Sequence, residues 1–247
     1  MGHSGIYTFI HPQNQNGRLH SSADPAGMFE RSIAMFKIKV DPVRFLGAIW
    51  LAMLVGMMPI PASAAEKAEP ALQTAVLAGG CFWGVDAVFK HVKGVVEVES
   101  GYSGGSAETA NYKMVSNGHT GHAESVRVRF DPAKVSYQTL LKVFFSVAHD
   151  PTQLNRQGPD YGTQYRSAIF YTDQEQKKIA QSYIRQLTVA RTYPKPIVTQ
   201  LLPLDVFYPA EDYHQNYLAR HPSQPYIVMF DQPKLEQLRK QFKLLYQ

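Results

Sequence analysis

The chain has 247 residues, 45% of them hydrophobic and 18% charged, a balance that excludes a disordered protein and suits one ordinary domain with a tail. Its net charge is +5, but residues 65–247 hold 20 basic and 17 acidic side chains, a surplus of only +3. With no run of Lys/Arg interleaved with aromatics, these numbers exclude a nucleic-acid-binding groove.

Residues 1–34 are polar and without period, which fits a true start at Met28 or Met35. Lys37, Lys39 and Arg44 then precede an uncharged run of 14 residues from Phe45 to Met58, which Pro59 and Pro61 break before Ala62-Ser63-Ala64. Basic region, short apolar core and small residues, in that order, form the pattern of a secretory signal. The run is shorter than the roughly 20 residues a spanning helix needs. The expected organisation is an N-terminal extension and export signal over 1–64, cleaved after Ala64 or Ala65, then a domain over 65–247. The product is exported, with a periplasmic location expected; an uncleaved anchor over 45–58 is the alternative. Glu66 to Pro70 reads as a linker.

Thr74 to Ala78 predicts a buried strand ending in a Gly79-Gly80 turn. Phe82, Val85, Val88, Phe89 and Val92 follow at helical spacing, which sets Cys81 at the first turn of a helix directly after a strand. Val95 to Gly101 and Ser125 to Phe130 alternate as strands, with Val126, Val128 and Phe130 on one side. Ser136 caps a predicted helix to about Ala148, and Ser167 to Tyr171 is another strand. Thr172-Asp173-Gln174-Glu175 has capping-box spacing and opens a helix to about Arg191. Val198 to Leu202 is the last predicted strand, and Ala210 to Ala219 and Lys234 to Leu245 are predicted helices, the second begun by Pro233. These elements predict a single α+β domain.

Cys81 is the sole cysteine. A lone cysteine is usually a small buried apolar residue, but an unpaired one in an exported chain merits suspicion. Backbone N–H groups and the dipole at a helix start are expected to lower its pKa and stabilise a thiolate. Glycines on both sides give a ligand room for close approach. Phe82 and Trp83, the latter the only tryptophan of residues 65–247, are set to wall an apolar pocket.

Gly80-Cys81-Phe82-Trp83-Gly84 resembles the active-site signature of the type A peptide methionine sulfoxide reductases. Four further blocks resemble that family in order: Gly101 to Gly105 followed by Tyr112; Gly118-His119-Thr120-Gly121-His122-Ala123-Glu124; His149-Asp150-Pro151 with Asp160 to Ser167; and Glu211-Asp212-Tyr213-His214-Gln215. They span Thr74 to Pro222. The resemblance implies a ferredoxin-like mixed sheet flanked by helices, with the catalytic cysteine at the start of the first helix. It implies Cys81 as nucleophile toward a methionine sulfoxide, Glu124 as proton donor with a raised pKa, and Tyr112 and Tyr165 as hydrogen-bond donors to the sulfoxide oxygen. Phe82 and Trp83 would hold the methyl group, and Asp160 and His214 would place the substrate backbone. The implied substrate is the S epimer, free or in oxidised client proteins, and the implied product on the enzyme is a Cys81 sulfenic acid. Asp86 departs from the glutamate of many relatives, and Pro159 replaces a usual polar residue.

Many relatives carry further cysteines that close a disulfide with the catalytic one; this sequence has none. A one-cysteine cycle follows, with Cys81 restored by a thioredoxin-like protein or a small thiol. No metal, flavin or nicotinamide motif is visible, so no bound cofactor is expected, and a monomer is expected. Taken without the resemblance, Glu124 reads as a solvated glutamate at a strand start, and Tyr112 and Tyr165 as half-buried aromatics. His119 and His122 have a spacing a metal can use, but no third ligand is evident. Gly101-Tyr102-Ser103-Gly104-Gly105 also fits the G-x-S-x-G elbow of serine hydrolases, which makes an esterase a rival. A non-enzymatic binding module with an inert Cys81 is the third reading.

Overall fold

The structure, a computed structural model, describes residues 71–247; the export pattern, the boundary at 64 and 65 and the linker lie outside them. Strand β1 (Gln73–Gly79) is apolar on both sides because both of its faces are covered. Ala75 and Leu77 point into the main core, Val76 and Ala78 into a smaller one on the opposite face of the sheet. Helix α1 (Phe82–Lys90) follows, then β2 (Val95–Ser103), the single-turn helix α2 (Tyr112–Val115), β3 (Ala123–Phe130) and α3 (Tyr137–Val143). A two-stranded hairpin of β4 (Arg156–Gln157) and β5 (Asp160–Tyr161) precedes β6 (Ser167–Tyr171) and α4 (Gln174–Val189). The short strands β7 (Gln200–Pro203) and β8 (Phe207–Pro209) and the helices α5 (Tyr217–Arg220) and α6 (Gln232–Gln241) complete the fold.

The six-stranded sheet has the order β7-β6-β1-β3-β2-β8. Only β6 and β7 pair in parallel. The inner four strands, β6-β1-β3-β2, with α1 between β1 and β2 and α3 between β3 and β6, have the split β-α-β layout of a ferredoxin-like fold. Because β3 lies between β1 and β2, its residues reach the start of α1, which is how a side chain from position 124 arrives beside position 81.

Two expectations are corrected. Residues 210–219 do not form one helix: a 3-10 turn (Asp212–His214) is followed by extended Gln215, left-handed Asn216 (φ 55°) and then α5. The Gln215 side chain, which a continuous helix would expose, accepts from Ser100 N and donates to Ser100 O and Ala210 O, so it caps the edge of β2. The N-cap of α4 is Asp173 rather than Thr172; Asp173 Oδ1 accepts from Gln176 N, and Gln176 reaches back to Thr172 N. The helix begun by Ser136 reaches Ala148 as expected, α-helical to Val143 and then widening to a π turn over Phe144–Ala148. Phe207–Pro209, for which no element is predicted, is a strand, because it finds three partners in Gly101, Tyr102 and Ser103 of β2.

Candidate active site

The chain enters the site through a sharp corner. Gly80 has φ of +93°, and a Cβ there would lie 2.6 Å from Gln157 Cβ, so only glycine fits. Cys81 is the N-cap of α1, 8% exposed, and its side chain makes no capping hydrogen bond. Glu124 lies on the side of β3 that carries Val126, Val128 and Phe130, so the alternation of the strand buries it, to 2% exposure. Its Oε2 accepts the Phe82 N–H at 3.0 Å, which satisfies one of the free donors at the start of α1.

Burial raises the Glu124 carboxyl to about 8; the Phe82 N–H opposes the rise and Asp160 adds to it. The carboxyl therefore holds its proton at neutral pH and is able to donate it. Cys81 departs from expectation. Burial, then Glu124, then Asp231 push the thiol well above its ordinary range, and the Trp83 N–H opposes them without prevailing. The helix-start rule is outweighed here because the site is dry and ringed by carboxyls. Cys81 rests as a thiol.

Tyr112, at the first position of α2, and Tyr165, at the end of a 3-10 turn (Thr163–Tyr165), face the same centre. Both phenols are raised by burial first and then by Glu124 and Cys81, so both are firm O–H donors. Glu211 fixes Tyr112, its carboxylate accepting from Tyr112 N and Tyr102 Oη, each at 2.8 Å. Asp160 Oδ2 accepts the Tyr226 O–H, and burial raises its carboxyl. His214 Nδ1 accepts Trp83 Nε1–H at 3.1 Å; burial lowers this imidazole, so the neutral ring carries its proton on Nε2, which has no partner among the described residues. Phe82 is fully buried between Tyr102 and His214 and forms a floor, whereas Trp83 is half-buried and forms a wall.

The structure adds aromatic residues that sequence reasoning missed. Tyr217 stacks on Trp83 with ring centroids 3.7 Å apart and planes 5° from parallel, and the Tyr226 edge meets the same ring at 5.9 Å. Reading 210–219 as one helix hid Tyr217. Two rival features are accounted for structurally. Ser103 is buried within β2 and followed by a 3-10 turn (Ala107–Thr109), so it is no nucleophile elbow. His122 uses both ring nitrogens on Gly105 N and Ser106 O, which fixes the glycine loop, and His119 is exposed.

A thiol, a protonated carboxyl, two phenol donors and an aromatic wall thus surround one small volume. The family model for peptide methionine sulfoxide reductase matches residues 73–245. The chain belongs to the peptide methionine sulfoxide reductase family, type A. A relative from Mesorhizobium japonicum, peptide methionine sulfoxide reductase MsrA 2, is 58% identical over 181 residues, 73% of this chain and 93% of that protein. One of the same name from Synechocystis is 56% identical over 170 residues, 69% of this chain and 79% of that protein. Among solved structures, methionine sulfoxide reductase A of Corynebacterium diphtheriae is 36% identical, covers 64% of this chain and 78% of its own, and has a TM-score of 0.55. Mxr1 from Saccharomyces cerevisiae in reduced form is 33% identical, with coverage of 62% and 87% and a TM-score of 0.56. In this reductase of the family, all five motif blocks converge on the Cys81 pocket: Cys81 and Trp83 from the first, Tyr112 after the second, Glu124, Asp160 with Tyr165, and His214.

Proposed function

We propose that the chain reduces methionine (S)-sulfoxide, free or within oxidised proteins, through Cys81, and so repairs oxidative damage. The observation that carries the reading is Glu124, a buried carboxyl raised to about 8 that accepts the N–H of the residue after Cys81. Sulfoxide oxygen leaves poorly unless protonated. Glu124 gives its proton to that oxygen while Tyr112 and Tyr165 donate hydrogen bonds to it. Cys81 Sγ attacks the sulfoxide sulfur, and its thiol proton passes to the carboxylate that Glu124 has just become. The oxygen ends on Cys81 as a sulfenic acid and methionine leaves as the thioether, so one proton and one oxygen are exchanged and nothing else is consumed. Trp83, stacked by Tyr217 and anchored by His214, holds the methyl group, and Asp160 holds the substrate backbone.

The sequence holds no second cysteine, so an external thiol attacks the sulfenic acid, water leaves, and a second external thiol releases Cys81. A thioredoxin-like protein or a small thiol fits this role. Export to the periplasm with cleavage near Ala64 rests on the residues 35–64 pattern.

The test is incubation with dithiothreitol and separate S and R epimers of methionine sulfoxide. Reduction of S alone is the expected result; reduction of neither, or of R alone, defeats the proposal. Mass spectrometry of oxidised enzyme with reductant should trap a mixed disulfide on Cys81, and turnover by Cys81→Ala would overturn the scheme.

A further inference from the structure

The hairpin that carries Asp160 has only two residues in each strand, too few to hold a position of its own. Gln157, opposite Asp160 in its register, ties it to the rest of the domain. The Gln157 side chain is 9% exposed, and its carboxamide exchanges two hydrogen bonds with a single residue: Oε1 accepts Asp150 N and Nε2 donates to Asp150 O, each at 3.0 Å. That is the two-bond exchange of paired strand residues, made here by a side chain. The stem of the same side chain fills the space that Gly80 leaves, for a Cβ there would lie 2.5 Å from Gln157 Cγ. His149, next to Asp150, fills the space beside Gly79 in the same way, with Cγ 3.0 Å from where a Cβ would stand. On its other side the hairpin meets the aromatic wall: Asp160 Oδ2 accepts the Tyr226 O–H, and the Tyr226 edge meets Trp83. The hairpin is thus braced against the corner just before Cys81 and against the ring two residues after it.

We propose that Gln157 is a positioning residue: it fixes the hairpin against the Gly79-Gly80 corner, so that a substrate held by its backbone at Asp160 presents its sulfur to Cys81 Sγ. The proposal deepens, and rests on, the reading of Asp160 as the holder of the substrate backbone. A methionine sulfoxide is then held by two anchors, its methyl group at Trp83 and its backbone at Asp160, with the sulfur between them. Displacing one anchor by about 1 Å turns the sulfur away from Sγ and costs on the order of 100-fold in rate. A sulfoxide without a backbone uses only the first anchor and does not sense the hairpin.

The test compares N-acetyl-methionine (S)-sulfoxide methylamide, which has a backbone, with dimethyl sulfoxide, which has none, on the full chain with dithiothreitol as reductant. Gln157→Met keeps the stem against Gly80 and removes both hydrogen bonds to Asp150. Its kcat on the amide should fall about 10- to 100-fold with KM changed less, while kcat/KM on dimethyl sulfoxide stays within about twofold of the parent. Gln157→Glu keeps the acceptor for Asp150 N, loses the donor to Asp150 O, and should show the same selective loss. Asp160→Ala should lower the ratio of amide to dimethyl sulfoxide activity by itself, and adding Gln157→Met should lower it no further. An equal loss on both substrates, or no loss on the amide, would make Gln157 a residue of the fold alone and overturn the proposal. A ratio that ignores Asp160→Ala defeats the reading of Asp160 and the role of Gln157 with it. A ratio that responds to Asp160→Ala but not to Gln157→Met defeats the role of Gln157 only.

Discussion

Glu124→Gln separates catalysis from stability in one substitution. Gln keeps an oxygen able to accept the Phe82 N–H and removes the ionisable group. Below about pH 4.5 the Glu124 carboxyl is protonated both folded and unfolded, and its burial costs nothing electrostatic. Between 4.5 and about 8 the unfolded chain releases the proton while the folded site keeps it, and stability falls by about 1.4 kcal/mol per pH unit. The stability tied to the protonated carboxyl is thus fully present below 4.5 and lost as pH rises through 8. The cost is about 3 kcal/mol at pH 7 and saturates near 5 kcal/mol above 8. Gln never incurs it, so the variant should match the parent near pH 4 and melt higher by roughly 6–12 °C at pH 7. Its activity should fall by about 100- to 10,000-fold, the usual contribution of a general acid. Because Cys81 enters as a thiol, the reactive site holds both protons, and parental kcat/KM should drop about tenfold per pH unit above 8; Glu124→Gln should lose that limb. Thermal melts across the pH series and kcat/KM over the same range are the assays. A stability gain independent of pH would refute the buried-acid argument. Retention of a tenth of parental activity would refute the role of Glu124 as acid.

Tyr112→Phe and Tyr165→Phe should each slow formation of the sulfenic acid on the order of 100-fold, read by single-turnover mass spectrometry, as expected for loss of one donor to a developing oxyanion. Tyr217→Ala removes the ring stacked on Trp83, worth about 0.5–1.5 kcal/mol; KM for the sulfoxide should rise about 2- to 12-fold with kcat unchanged. Gly80→Ala forces a side chain into a left-handed φ and against Gln157, and should lower the urea midpoint by an amount equal to about 1–3 kcal/mol without altering the m-value.

The nearer its partners lie in the chain, the better each feature could be read from the sequence. The corner at Gly79-Gly80, α1 and the Ser136 cap are local, and the sequence placed them correctly. The position of Glu124 was also open to reading, since it continues the stripe of Val126, Val128 and Phe130 by one step of two. It looked solvated only because the donor that compensates it, Phe82 N–H, lies 42 residues away. The thiol was misjudged for the same reason. The helix-start rule counts backbone groups beside Cys81 and not the carboxyls that the fold brings from positions 124, 160 and 231. Residues 210–219 have helical spacing, but Gln215 finds Ser100 at a separation of 115 residues and the helix gives way. That break turns Tyr217 toward Trp83, so the misread element is the one that finishes the pocket.

A single thiol imposes a kinetic order. Sulfoxide and reductant must each react at Cys81 Sγ, one after the other, on a residue that is 8% exposed. With a second cysteine the oxidising equivalent could move to the surface as a disulfide; here it stays where it formed, between Glu124 and the aromatic wall. The two substrates therefore share one opening, and neither half-reaction can begin while the other substrate occupies it. Ping-pong kinetics follow, with parallel double-reciprocal lines. High reductant should inhibit competitively against sulfoxide, and high sulfoxide should inhibit competitively against reductant. Tyr217→Ala, which loosens the wall of the shared opening, should weaken binding of the sulfoxide and of a bulky thiol together. Intersecting lines would mean that both substrates bind at once, and a second path to Cys81 would then have to exist.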